Sequence, residues 1–155
     1  MAIRLFIKSI IFITLIYITS CTKKECRKED GSEGIIVEDL DYNCSNDHKD
    51  KTYIIDSDTA ASRQIVGGVA CPDYFNADKI DFHKYTLLGQ YASGKCNAKF
   101  SRIVERIEQE KRYHYKMIVY ECGACKKERV SLNLILVPKL PIDWDVTFSI
   151  EKIQD

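Results

Sequence analysis

No stretch of this chain is long enough to cross a membrane as a helix. A spanning helix needs about 20 consecutive apolar residues, and the longest candidate, Ile10 to Ile18, supplies nine with Thr14 among them. Net charge is also missing, because 23 lysines and arginines balance 23 aspartates and glutamates. Nucleic-acid binding requires a basic patch that releases counterions from phosphates; no such face stands out, and no nucleic-acid partner is expected. Metal-ligand spacing is absent as well. There is a single CxxC, and His48, His83 and His114 are scattered singly, whereas structural zinc takes four ligands from paired motifs. No GxSxG, P-loop or HExxH pattern occurs, which removes three common signatures of catalysis. No metal, cofactor or catalytic residue is implied, and a non-enzyme is expected.

What is present begins at the amino terminus. Arg4 and Lys8 precede the apolar stretch, and Ile18-Thr19-Ser20-Cys21 follows it. A short apolar region behind a cationic start, ending at small residues, reads as a removable signal rather than a span. These residues resemble the lipobox signal peptide of bacterial lipoproteins over roughly the first 21 positions, and the four-residue core matches throughout. The resemblance implies that residues 1–20 are removed and that the thiol of Cys21 receives a diacylglyceryl group. It also implies a cell-envelope location, in the outer membrane on its periplasmic or surface face, with the lipid bilayer as one partner. Each buried methylene adds about 0.8 kcal/mol, so two or three acyl chains hold far more firmly than one.

Without Arg4 and Lys8 the mature chain has 21 basic and 23 acidic residues, formally minus two. A chain of this size fits one domain and buries roughly two thirds of its unfolded surface. From Thr22 to Gly34 there is no aliphatic or aromatic residue, so residues 21–34 read as a lipidated, flexible tether and residues 35–155 as a single β-rich domain. Lys28-Glu29-Asp30 in the tether resembles the lysine-plus-acid signal by which some bacterial lipoproteins reach the cell surface.

Within the domain, Ile35-Ile36-Val37 reads as a first strand, Asp39 to Lys51 as a loop and Tyr53-Ile54-Ile55 as a second strand. Asp56 or Ser57 can cap a helix through about Val66, stopped by Gly67 and Gly68. A strand at about Ala98 to Ile107 turns through Glu108 to Arg112 into Tyr113, Tyr115, Met117 and Val119, which alternate with polar residues. Val130, Leu132, Leu134 and Leu136 alternate in the same way, as do Trp144, Val146, Phe148 and Ile150. Period two means half-buried strands, here a four-stranded antiparallel meander with one short helix. A two-residue turn at Gly123-Ala124 would set Tyr113 opposite Leu134, Tyr115 opposite Leu132 and Met117 opposite Val130. A turn through Pro138 to Asp143 would then set Leu134 by Phe148 and Leu136 by Val146.

Once Cys21 is assigned to lipid, an even set remains: Cys26, Cys44, Cys71, Cys96, Cys122 and Cys125. In an oxidising envelope such a set reads as up to three disulfides with fifteen connectivities. The hairpin centred near residue 110 places Cys96 near residue 124, so Cys122 or Cys125 is its expected partner, in a bridge contributing about 3 kcal/mol. Cys44 and Cys71 are left to pair by elimination, and Cys26 sits in the tether. Cys122-Gly123-Ala124-Cys125 admits structural, metal or redox chemistry. A dithiol oxidoreductase is the alternative to a binding role, although a strand rather than a helix follows the motif, so the dipole that activates such thiols is missing. Tyr85, Tyr91, Tyr113, Tyr115 and Tyr120 suit either a core or a protein-binding face. Asp143 and Asp145 flank Trp144 and read as edge-protecting charges.

Ile80-Asp81-Phe82 followed by Leu87 to Gly94 is similar to the C-terminal β-domain of protease-complex accessory subunits. Pro138-Lys139-Leu140-Pro141 with Val146-Thr147-Phe148 is similar to the closing segment of many small envelope lipoproteins. Together the likeness spans about residues 80–150 and implies no catalytic residue. The expected protein is a membrane-anchored envelope lipoprotein, mainly β and disulfide-stabilised, that works by contact with an envelope protein partner.

Overall fold

The computed structural model describes residues 26, 28–42, 51–57, 80–95, 97–123 and 126–154. Its strands are β1 (Gly31–Gly34), β2 (Glu38–Tyr42), β3 (Thr52–Ile55), β4 (Tyr85–Lys95), β5 (Lys99–Ile107), β6 (Arg112–Glu121), β7 (Glu128–Pro138) and β8 (Asp145–Gln154). The fold is mainly β. The expected helix falls mostly on residues outside those described; among the described residues the one helical turn is the 3-10 turn Glu108–Glu110.

Two four-stranded sheets result, ordered β1-β5-β6-β8 and β2-β7-β4-β3. The second is antiparallel throughout. The first is mixed, because β1 runs parallel to β5 and β8 parallel to β6. The β5–β6 hairpin is where it was expected: Lys99 pairs with Tyr120 and Ile107 with Arg112, and Lys111 closes the turn in the left-handed region. Strict alternation in β6 buries Tyr113, Tyr115, Met117 and Val119 completely.

The meander beyond that hairpin is corrected. β6 and β7 lie in different sheets, so Gly123-Ala124 is no hairpin turn and Tyr113, Tyr115 and Met117 do not face Leu134, Leu132 and Val130 across a ladder. The chain instead changes sheet between Glu121 and Glu128, and β7 pairs along its whole length with β4. It changes sheet again after Pro138, so that Val146 lies opposite Tyr113 and Phe148 opposite Tyr115, rather than beside Leu136 and Leu134. Alternation fixes which side chains share a face but is silent on which strand supplies the hydrogen bonds.

Two segments near the amino terminus also differ from expectation. Ile35-Ile36-Val37 is a bend joining β1 to β2: the Ile35 N–H donates to the Val104 carbonyl at 3.1 Å and the Val37 N–H to the Leu136 carbonyl at 2.7 Å, one on each sheet. Gly34 begins the step, at φ +93° and so close to the strand that an added Cβ would collide with the Val104 carbonyl oxygen. Residues 28–34 are not a free tether but are held on β5. Gly31 to Gly34 pair with Ser101 to Val104, and the Asp30 carboxylate accepts the Phe100 N–H at 2.7 Å. An edge strand needs main-chain partners more than apolar side chains, so polarity concealed it. The expected loop at Asp39 begins as β2 for the same reason.

The apolar interior between the sheets joins Phe100, Val104, Tyr115 and Met117 to Leu88, Ala92, Ile135 and Val137. Each fully buried apolar side chain stabilises by about 1.5–3 kcal/mol. A second cluster of Tyr53, Ile55, Leu87, Tyr91, Leu132 and Leu134 covers the outer face of the β4–β7 pair. β7 is therefore buried on both faces, and Ser131 and Asn133 point into the inter-sheet space. There Asn133 meets Arg102, which is 2% exposed. The guanidinium donates to Asp39 Oδ2 and to Asn133 Oδ1, both at 2.9 Å; Asp39 also accepts from the Ser32 hydroxyl, and Tyr115 donates to the Asn133 carbonyl at 3.2 Å.

Removing one member of a buried polar pair leaves the other unpaired and costs about 3–5 kcal/mol; because Asp39 is part-exposed, the lower end applies. Arg102→Ala is expected to destabilise the domain by about 3 kcal/mol, read as a lower urea midpoint at unchanged slope.

Candidate functional site

The two ends of the sandwich differ in chemistry. At one end β4 finishes, β5 begins, β6 finishes and β7 begins. Here Cys26 is bonded to Cys122 across 96 residues of sequence, with a Cα–Cα separation of 5.2 Å. Cys122 is 1% exposed. The Cys26 sulfur lies 3.2 Å from the Asn97 carbonyl. Glu121, almost buried, accepts the Lys95 N–H at 3.2 Å and lies 3.9 Å from the Lys152 ammonium.

Cys122 is thus bonded to Cys26 and not to Cys96, as one of the two expected pairings had it. Cys21, Cys44, Cys71, Cys96 and Cys125 lie outside the described residues. No spacing rule pointed to Cys26, because its partner lies 96 residues away in the sequence. The signal that was missed is the docking of residues 28–34, which carries Cys26 to this end.

At the opposite end a cleft of about 380 Å³ is lined by Asp56, Ser57, Ile80, Asp81, Phe82, His83 and Lys139. Its walls come from the end of β3, the turn before β4 and the exit of β7. Lys139 pins two of them, its ammonium donating to the Asp56 carbonyl at 2.9 Å and the Phe82 carbonyl at 2.8 Å. Asp81 shapes the turn: its side chain accepts the His83 N–H at 3.1 Å, and its carbonyl accepts the N–H groups of Lys84 and Tyr85. The hydrogen-bonded Lys84 ammonium, 3.2 Å away, holds the Asp81 carboxyl below the usual aspartate range. The cleft is lined by the carboxylates of Asp56 and Asp81, the His83 imidazole and the Lys139 ammonium beside the apolar Ile80 and Phe82. The sequence singled out neither Lys139 nor His83 for this; the prolines bracketing Lys139 were the available signal.

The other expected candidates are placed as follows. His114 Nε2 is 2.8 Å from the Ser149 hydroxyl, and His83 is exposed in the cleft wall. Tyr91, Tyr113 and Tyr115 are core residues, while Tyr85 and Tyr120 are half-buried. Burial, with Tyr53 nearby, pushes the Tyr91 hydroxyl up to about 12. Asp143 and Asp145 stand at the start of the edge strand β8, where Lys111 pairs with Asp143 and lowers its carboxyl. No group of three or more His, Cys, Asp and Glu side chains among the described residues is arranged to hold a metal. Among those residues no helix is long and apolar enough to cross a membrane.

Two outcomes are expected. Non-reducing peptide mapping should recover the Cys26 and Cys122 peptides joined, and Cys26→Ser should lower unfolding stability by about 3–5 kcal/mol for a loop of this size. In a carbon-13 NMR titration Asp81 should titrate below an ordinary aspartate, and Lys84→Ala should move it back up. Because the folded-state value is depressed, whatever stability this pair contributes is present above the ordinary aspartate range and fades as pH falls through the lowered value.

No family model, curated protein or solved structure matches the chain, so a functional reading rests on its own residues and geometry.

Proposed function

We propose that the chain is a lipid-anchored cell-envelope lipoprotein, acylated at Cys21 after loss of residues 1–20, whose β-sandwich is a non-catalytic binding or accessory domain for an envelope protein. The Cys26–Cys122 bridge carries this reading. Stable disulfides belong to oxidising compartments, and a leader ending in Ile18-Thr19-Ser20-Cys21 is a route into one.

The placement of the cleft supports a binding role. β4 spans the sandwich from the cleft to the bridged end with 11 residues, about 35 Å at the rise of an extended strand. A chain held at Cys21 and braced at Cys26 presents the cleft on the side away from its anchor. The dithiol oxidoreductase reading has less support, because Cys122 is bonded to Cys26 and almost fully buried, whereas catalytic thiols are partly exposed in electropositive surroundings.

Metabolic labelling with palmitate tests the anchor. The wild-type protein should incorporate label and enter the detergent phase, and Cys21→Ala should do neither. An unlabelled wild-type product that still begins at Met1 would overturn the proposal.

A further inference from the structure

The bridged end carries a charge excess that the chain as a whole lacks. Lys28, Lys95, Lys126, Lys127 and Lys152 are exposed there, with Lys99 and Arg129 half-buried beside them. Among the described residues four carboxylates share this end: Glu29, Asp30, Glu121 and Glu128. Two of them turn inward, Asp30 to the Phe100 N–H and Lys99, and Glu121 to the Lys95 N–H and Lys152. Among the described residues, seven cations against four carboxylates leave three positive charges in surplus at this end, in a chain whose formal net charge is zero. The cleft end has a smaller bias of the opposite sign: among the described residues the carboxylates Asp56, Asp81, Glu105, Glu108, Glu110, Asp143 and Asp145 outnumber the cations Lys84, Arg106, Lys111, Arg112 and Lys139 by seven to five, and four of these carboxylates are ion-paired.

Four residues separate Cys21 from Cys26, and the five steps between them span at most about 18 Å of extended chain. Were the bridge open, the next hold on the domain would be Asp30 on Phe100, and the leash would nearly double. The bond therefore shortens the leash at the end where β1 also docks, and that end, the basic one, is kept close to an anchor at Cys21.

We infer that this end is a membrane-docking surface for anionic lipid headgroups, on which Lys95, Lys126 and Lys127 rest while the Cys26–Cys122 bridge holds the domain down; the inference rests on the anchor proposed above. Juxtamembrane lysines are drawn to anionic leaflets within a Debye length of the surface. A leash this short keeps them within that range, and the acidic cleft end is turned outward.

The test uses the acylated protein purified from membranes and reconstituted into vesicles of phosphatidylcholine, alone or with about one third phosphatidylglycerol. Flotation reports the anchor, and the rate of amine labelling at each lysine, read by mass spectrometry, reports docking. The expected result is flotation with both vesicles. Labelling of Lys95, Lys126 and Lys127 should slow on the order of tenfold on the anionic vesicles only, and the protection should disappear at high salt, with Lys111 unchanged. K126E/K127E should still float but lose protection at Lys95, and Cys26→Ser should lose part of it. Equal labelling of the three lysines on both vesicles would overturn docking while leaving the anchor intact. Failure to float with phosphatidylcholine would overturn the anchor, and docking with it.

Discussion

Arg102 sets the relation of the two sheets. Among the described residues it is the only cation in the buried set, and a buried guanidinium is tolerable only when its hydrogens find acceptors. Its acceptors, Asp39 and Asn133, belong to two strands of the facing sheet. If β7 slipped by one residue, Asn133 would turn outward and a leucine would meet the charge instead. Apolar contacts between sheets tolerate some sliding, but these directional bonds do not. Asn133, a polar position in the hydrophobic centre of β7, is there because Arg102 is opposite.

That same pair of residues explains why part of the fold was legible in the sequence and part was not. The alternation in β6 gave its buried face, and that of Trp144, Val146 and Phe148 gave the inward side of β8, although Ile150 is exposed; the charged turn at Glu108 gave the β5–β6 hairpin. In β7 the alternation was real but its direction was read the wrong way round: Leu132, Leu134 and Leu136 face outward into a second cluster, and the polar residues face the interior. Nothing in a single strand's pattern distinguishes one buried face from two. Connectivity failed for a related reason, since a short link such as Cys122 to Lys127 can close a hairpin or turn a corner between sheets. The cleft was invisible because its walls come from three separated turns, and the bridge because β1 advertises itself by main-chain bonding alone.

The edges of the first sheet are handled differently from its centre. β1 is four residues long, and β8 carries Asp145, Glu151 and Lys152 among its exposed positions. Short length and charge are both means by which a sheet avoids pairing with another copy of itself. Lys116 and Glu151 add an ion pair across the β6–β8 junction. The Trp144 ring, edge-on to Tyr113 at 5.6 Å and covered by Arg106 at 4.7 Å, seals the entry to β8.

The span enclosed by the bridge has a consequence for biogenesis. Under the export proposed here, the polypeptide emerges amino terminus first, and Cys44, Cys71 and Cys96 all arrive before Cys122 does. The first thiols that can react with Cys26 are therefore not its final partner, and oxidation in order of arrival would trap the wrong connectivity. Docking of β1 depends on β5, and β5 lies some seventy residues downstream. On that proposal, maturation would call for delayed oxidation or for an isomerase that reshuffles early cross-links.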